Sequence, residues 1–122
     1  MAHTVGRTAL MASDHFDSLR LELRRGCLVM AVLAQLRVEH YGYTLKQELI
    51  DRGIDIDEGT LYPLLRRLES QKLLQSEWRE EDKRTKRFYR LSPEGKAVLK
   101  ELLKEWQQIN MAVGRIVGRS PA

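Results

Sequence analysis

Residues 57–69, with the sequence DEGTLYPLLRRLE, form the stretch around which the chain is organised. Its leucines recur at the spacing of one helix face, which is typical of a short helix with an apolar inner side: Leu61, Leu64, Leu65 and Leu68. Asp57, Gly59 and Thr60 are all competent helix caps, and a proline is tolerated best in the first turn of a helix. Pro63 therefore predicts that the helix begins near Gly59 or Thr60.

The segments on either side complete the pattern of a helix-turn-helix followed by a hairpin. A helix predicted over residues 44–52 ends at Gly53, which fits the left-handed residue that often terminates a helix. Two strands, joined by a charged loop, are predicted over residues 73–78 and 86–91. The predicted fold is mainly α with a small β-hairpin, namely a winged helix-turn-helix plus a long C-terminal dimerisation helix.

The length of 122 residues suits one domain with an appended helix. Residues 1–17 show no sustained hydrophobic period and are predicted to be a flexible N-terminal arm or a short extra helical turn. The first helix is predicted to begin at Ser18, a competent cap. Residues 18–91 then form the predicted winged helix-turn-helix DNA-binding domain, and residues 92–118 form the predicted C-terminal dimerisation helix.

Composition narrows the class of protein. Lys and Arg number 21 against 17 Asp and Glu, so the net charge of +4 matters less than where the charges lie. No apolar run reaches the roughly 18 residues that a membrane-spanning helix needs, and the start of the chain lacks a signal-peptide pattern. These features predict a soluble, cytoplasmic protein. Cys27 is the single cysteine, and no catalytic motif is present, so no enzyme activity, metal or cofactor is predicted.

The outer side of the 57–69 helix offers groups that can contact DNA. A recognition helix places its N-terminal residues against base edges in the major groove. Thr60 and Tyr62 lie at that end, and Arg66 follows one turn after Tyr62 on the same face. Arginine can bind guanine through two hydrogen bonds, and hydroxyl groups can reach bases or phosphates. Tyr62 could instead be a packing residue with its hydroxyl at the surface.

The hairpin is rich in basic residues. After a helix-turn-helix, such a hairpin is predicted to be a wing whose cations follow the phosphates and supply affinity rather than sequence choice. The predicted contacts are Lys83, Arg84, Lys86 and Arg87, supported by Tyr43 and Lys46 at the start of the preceding helix. The competing interpretation is a mixed-charge loop that is simply solvated.

The last helix, predicted to be capped by Ser92, carries a coiled-coil-like seam with steps of three and four residues. The seam consists of Leu99, Leu102, Trp106, Ile109, Val113 and Ile116. It is predicted to pack against a second subunit, which would place two recognition helices about 34 Å apart on a palindromic operator. Trp106 either packs the dimer or borders an apolar cavity for a flat aromatic ligand.

Long runs give the chain a specific resemblance. The runs YGYTL at 41–45, EGTLYPLLRRLE at 58–69 and RFYRLSPEG at 87–95 resemble the PadR family of bacterial transcriptional regulators. The single C-terminal helix resembles the short PadR subfamily, in which a tryptophan at the place of Trp106 can line a drug-binding cavity. The resemblance implies a cytoplasmic, homodimeric, winged-helix repressor, released from double-stranded operator DNA by a drug-like or phenolic small molecule or by a stress signal.

The chain departs from the family pattern at two turns. Many relatives have glycine where Lys72 stands, and a left-handed lysine there would cost about 1 kcal/mol. The wing tip, residues 80–85, lacks the glycines that are common in relatives. The sequence leaves a second function open, a dimeric small-molecule-binding or protein-interaction module with weak DNA binding.

Overall fold

A computed structural model describes the backbone of residues 2–118 and the side chains from Ala9 onward. The elements follow in the order α1 (Ala2–Gln35), β1 (His40–Tyr41), α2 (Gly42–Asp51), α3 (Glu58–Ser70), β2 (Leu74–Glu81), β3 (Arg84–Leu91) and α4 (Pro93–Val117). The predicted fold class, mainly α with a small antiparallel sheet and a long C-terminal helix, is therefore confirmed. Each helix within this part of the chain is too short or too polar to cross a membrane.

The recognition-helix candidate α3 begins earlier than predicted. Asp57 caps it, because its side chain accepts a hydrogen bond of 2.8 Å from the backbone N–H of Thr60. Pro63 consequently lies inside the helix, where it lacks the N–H that would donate to the carbonyl oxygen of Gly59. Gly59 is exposed, so water can hydrate this carbonyl oxygen instead. The side-chain cap at Asp57 decides the helix start, and the prediction from Pro63 was wrong.

The sheet is larger than the predicted hairpin. β3 pairs antiparallel with both β2 and the short strand β1, in the order β1-β3-β2. The charged loop predicted between the strands is mostly strand, because only Asp82 and Lys83 form the turn. Both residues have positive φ angles, 53° and 64°, as a two-residue hairpin of the type I′ class requires. The wing thus uses side-chain-bearing residues where glycine is usual.

Helix α1 also differs from the prediction. Residues 2–17 are the first half of one long helix rather than a flexible arm, and Met1 lies outside the described residues. The start predicted at Ser18 is therefore wrong. An apolar stripe with steps of three and four residues runs through this half of the helix: Ala9, Ala12, Phe16, Leu19 and Leu23. The small alanine side chains at its beginning make this hydrophobic period weak in the sequence.

The core lies where α1, α2, α3 and the sheet meet. From α1 it takes Val32, Leu33 and Leu36, and from α3 it takes Leu61, Leu65 and Leu68, all at most 1% exposed. Leu64, on the edge of the α3 stripe, is only partly buried against this core. The apolar face predicted for α3 is thus the face that anchors it to the domain.

The two turns around the helices show the same backbone geometry with different residues. Gly53 has a φ of 98° and ends α2, as predicted. Lys72 has a φ of 67° and ends α3 in the same way, because the N–H of Leu73 donates to the Leu68 carbonyl at 3.0 Å. This is the left-handed position at which glycine is usual. Lys72 therefore holds a backbone conformation that glycine would adopt at lower cost.

Helix α4 starts with the predicted cap. The hydroxyl of Ser92 accepts a hydrogen bond from the N–H of Gly95 at 2.9 Å and donates one to the Lys72 carbonyl at 2.7 Å. A β-carbon on Gly95 would lie 2.1 Å from the Leu73 carbonyl oxygen, so only glycine allows this approach. The turn after α3 and the start of α4 are in this way held together.

Candidate nucleic-acid interface

One concave surface collects residues from α2, α3 and the wing. It has a volume of about 350 Å³. Of the residues predicted to contact DNA, the structure brings five to it: Tyr43, Tyr62, Arg66, Lys86 and Arg87. We call this surface the aromatic–basic concavity. It presents hydroxyl donors and cations together, which is the chemistry that phosphate oxygens and base edges accept.

Tyr62 both packs and faces this concavity. Its ring lies against Gly42, where an added β-carbon would be 2.4 Å from the tyrosine hydroxyl oxygen. Burial, with the nearby Glu58 carboxylate as a second cause, raises the pKa of the Tyr62 hydroxyl. The phenol therefore stays protonated around neutral pH and can donate a hydrogen bond to an anion. The two interpretations of Tyr62 are compatible, because the packed ring orients the hydroxyl.

The remaining predicted residues of the helices lie elsewhere. Thr60 lines grooves between α1 and α3 rather than the concavity, one of them shared with Arg67. Arg66 and Arg67, although adjacent, thus face different surfaces of α3. The ammonium nitrogen of Lys46 lies 3.8 Å from a carboxylate oxygen of Glu58, so its charge is partly balanced at the surface.

Two cations on the wing are engaged within the chain. Lys86 lies 3.5 Å from the Glu81 carboxylate, and its ammonium sits 4.4 Å from the centre of the Tyr41 ring. Arg87 donates a 2.8 Å hydrogen bond to Glu69 on α3. Their positive charge is therefore partly neutralised before any DNA arrives.

The basic residues at the tip of the wing differ from those nearer its base in their ion pairing. Arg79 and Arg90 both pair with Glu39, and the Glu39 hydrogen bond is the main reason that the pKa of Arg79 rises above its ordinary value. Lys83 and Arg84 are exposed and have no ion-pair partner among residues 9–118. The cations that are free to follow a phosphate backbone are thus concentrated at the hairpin turn.

Aromatic residues that were not predicted also line the concavity. Tyr41 and Trp78 lie beside the basic groups, and Tyr89 forms part of the wall. Trp78 is directly opposite Arg87 in the hairpin, and Tyr89 is two residues further along the same strand face. Strand alternation, applied to the full length of β2 and β3, is the signal that would have placed the rings of Trp78 and Tyr89 on one face. Tyr41 pairs with Phe88 and so belongs to the other face of the sheet.

The predicted seam of α4 divides into a buried beginning and an exposed remainder. Leu99 is 4% exposed and belongs to the core of its own chain, which disagrees with its predicted place in a subunit contact. Leu102 is partly buried against that core and keeps part of its side chain uncovered. Trp106, Ile109 and Val113 are 45%, 53% and 50% exposed. Ile116 and the apolar stripe of α1 are likewise exposed in the single chain.

Helix α3, which follows α2 and precedes the β2–β3 wing, defines the class of winged helix-turn-helix proteins. The sequence profile of the transcriptional regulator PadR-like family matches residues 29–101. The chain belongs to the PadR family of DNA-binding transcriptional regulators, which are not enzymes.

Known proteins and structures agree with this assignment. A crystal structure of a PadR family transcriptional regulator from Eggerthella lenta shares 47% sequence identity and superposes with a TM-score of 0.80, covering 88% of this chain and 96% of that one. A PadR-like transcription factor from Bacteroides fragilis shares 32% identity with a TM-score of 0.71, covering 81% and 98%. The transcriptional regulator Rv3488 of Mycobacterium tuberculosis is 49% identical over 63 residues, which are 52% of this chain and 59% of that protein.

Proposed function

We propose that this chain is a cytoplasmic, homodimeric repressor that binds a palindromic operator and is released by an aromatic small molecule or a stress signal. The observation that carries the DNA-binding part is the aromatic–basic concavity, which joins α3 to the wing and holds Tyr62 and Arg66 beside Tyr43. Arg66 is the exposed cation of α3 that faces this surface. It is the proposed contact to a base edge.

The proposed phosphate contacts are assigned to the wing cations that have no carboxylate partner among the described residues. Lys83 and Arg84, at the wing tip, have no carboxylate partner in the described part of the chain, and they are proposed to contact phosphates. Each phosphate neutralised adds about 0.9 to the slope of log affinity against log salt concentration. Losing both contacts would therefore lower that slope by about 1.8.

Arg66→Ala tests the base contact, with Arg67→Ala as the matched control. Both variants remove one positive charge from neighbouring positions of α3, but only Arg66 lines the concavity. We expect Arg66→Ala to weaken binding to a fragment of the protein's own promoter by about tenfold to a hundredfold, as for a lost bidentate base contact. Equal affinities for the two variants in fluorescence anisotropy would refute the assignment.

The proposed dimer rests on the uncovered apolar surface of α1 and α4. Exposed side chains at helical steps of three and four are what a second helix with the same seam would cover. Ile109→Glu should shift the protein toward monomers in analytical ultracentrifugation, whereas Gln107→Glu, an exposed residue on roughly the opposite side of α4, should not. A dimer that survives Ile109→Glu unchanged would exclude this face.

The proposed ligand response involves Trp106. This side chain is 45% exposed on the apolar face of α4, so a second copy would bring two indole rings near the dimer axis. Titration of planar aromatic cations or phenols should quench the fluorescence of Trp106 and release DNA. The control is Trp106→Ala, which leaves Trp78, 63% exposed at the concavity, as the only reporter. An unchanged response in that variant would remove Trp106 from the ligand site.

A further inference from the structure

Three side chains from three elements form a closed hydrogen-bonded ring behind the concavity. Arg87 on β3 donates from Nη2 to Oε1 of Glu69 at 2.8 Å and from Nε to the hydroxyl of Ser76 at 2.9 Å. Ser76 on β2 donates in turn to Oε2 of Glu69, at the end of α3. Each of the three side chains is hydrogen-bonded to the other two, so the ring closes without a bridging water molecule.

The surroundings of Arg87 keep it in this geometry. Its guanidinium lies 5.4 Å from the centre of the Trp78 ring and 5.6 Å from that of Tyr89. The side chains of Arg87 and Glu69 are only 35% and 26% exposed. Such a planar fork, aligned with a carboxylate and flanked by aromatic rings, is a site at which lysine cannot replace arginine.

We propose that Glu69 is a positioning residue that fixes the wing relative to the recognition helix through Arg87 and Ser76. An acidic side chain next to the DNA-facing surface therefore strengthens DNA binding. This inference rests on the proposed DNA-binding function and adds a role for a residue that makes no contact with DNA itself.

We call the hydrogen-bonded ring of Glu69, Ser76 and Arg87 the brace. Because the wing is long, a small movement at the brace becomes a large movement at the wing tip. A hairpin alone is marginally stable and depends on what it leans against. Lys83 lies seven residues beyond Ser76, about 23 Å along the strand. A tilt of about 10° at the brace would move the tip by about 4 Å, which exceeds the reach of a hydrogen bond. The free cations at the tip would then lose their register with the phosphates.

Long-range electrostatics and the brace predict opposite changes in DNA affinity for Glu69→Gln. The substitution removes a negative charge near the DNA, so long-range electrostatics predicts tighter binding. Loss of the brace predicts weaker binding, by about threefold to thirtyfold, as for a coupled side-chain network. The salt slope should fall by up to about 1.8, because the proposed phosphate contacts of Lys83 and Arg84 weaken when the wing tip loses its register.

Glu80→Gln is the matched control. Glu80 lies on the same strand as Ser76, is exposed, sits opposite Thr85, and has no ion pair among the described residues. Both variants change the charge by the same amount, but only Glu69→Gln opens the ring. Anisotropy titrations over a range of salt concentrations should show weaker binding for Glu69→Gln and equal or tighter binding for Glu80→Gln. If both variants bind like the parent or more tightly, the brace is wrong.

Arg87→Lys separates the brace from a phosphate contact. Lysine keeps the positive charge but cannot donate to Glu69 and Ser76 at once in this geometry. We expect the same loss of affinity as for Glu69→Gln, and no further loss when both substitutions are combined. If Arg87→Lys binds normally and Arg87→Gln lowers the salt slope by about 0.9, Arg87 contacts a phosphate and the inference fails.

A measurement on the free protein tests the brace without DNA. Spin labels on Gln71→Cys and Lys83→Cys, in a Cys27→Ser background, report the distance between the end of α3 and the wing tip. Glu69→Gln should broaden this distance distribution, and Glu80→Gln should leave it narrow. A parent protein that binds no promoter fragment would overturn the proposed function, whereas identical distributions in both variants would overturn the brace.

Discussion

Replacing Gly42 with alanine would place a β-carbon 2.4 Å from the hydroxyl oxygen of Tyr62 and 2.5 Å from its Cε1 atom. The ring must then rotate or move, because the helix start at Gly42 is held by the preceding strand β1. Overpacking of this kind costs about 1–3 kcal/mol. For a chain of this size, each 1 kcal/mol lowers the melting temperature by about 3–6 °C.

The same displacement affects DNA binding, since the ring orients the proposed hydroxyl contact of Tyr62. A hydrogen bond to a charged group contributes about 1.5–3 kcal/mol, which corresponds to a loss of about tenfold to a hundredfold in affinity. Thermal unfolding followed by circular dichroism and anisotropy with a labelled promoter fragment measure the two effects. The substitutions Gly42→Ala and Tyr62→Ala should also be non-additive, because both remove the same ring from its place.

Gly114→Ala is the control for Gly42→Ala. Gly114 lies in α4 with open space at its β-carbon position, so alanine there should raise helix stability by up to about 1 kcal/mol. If Gly42→Ala melts at the temperature of the parent and binds the promoter with the same Kd, the packing role of Gly42 is refuted. The assignment of Tyr62 to the interface would fail with it.

Three further predictions follow from the turns and from Tyr62. Gly95→Ala should lower the free energy of unfolding in urea by about 1–3 kcal/mol, since its β-carbon would meet the Leu73 carbonyl at 2.1 Å; an unchanged midpoint would contradict this contact. Lys72→Gly should raise that free energy by up to about 1 kcal/mol, because it relieves a φ of 67°, and a loss of stability would show that the lysine side chain compensates for the strain. The raised pKa of Tyr62 means that the folded state holds this proton more tightly, so its contribution to stability is complete below pH 10 and declines above it; Tyr62→Phe should flatten this decline.

Helix ends and turns were predictable where their signals are local. Ser92 as the cap of α4 and Gly53 as the end of α2 follow from the residue types alone, and both are confirmed. The start of α3 was predicted wrongly because two local rules competed. The side-chain cap of Asp57 prevailed over the preference of Pro63 for the first turn. A cap adds a hydrogen bond, whereas the orphaned carbonyl near Pro63 faces water.

Pairings between distant residues were not predictable. The partner of Arg87 is Glu69, 18 positions earlier, and nothing in the local sequence indicates that these side chains meet. The strand β1 was not predictable for the same reason, because its two residues form a strand only by pairing with β3. Sequence patterns therefore predicted the proposed interface on α3 and the wing. The distinction between free and internally paired cations needed the three-dimensional arrangement.

Helix α1 has a further consequence for the proposed dimer. Its last turns carry Val32, Leu33 and Leu36 in the centre of the core, while its first 22 residues, up to Leu23, extend for about 33 Å beyond that anchor. In the proposed dimer, the contacts at the N-terminal end of α1 would set the angle between the winged domain and the second subunit. A change of about 10° over that length displaces the far end by about 6 Å, close to two base-pair steps. Substitutions at Phe16 or Leu19 could therefore change the preferred spacing of the operator half-sites while every DNA-facing residue stays the same.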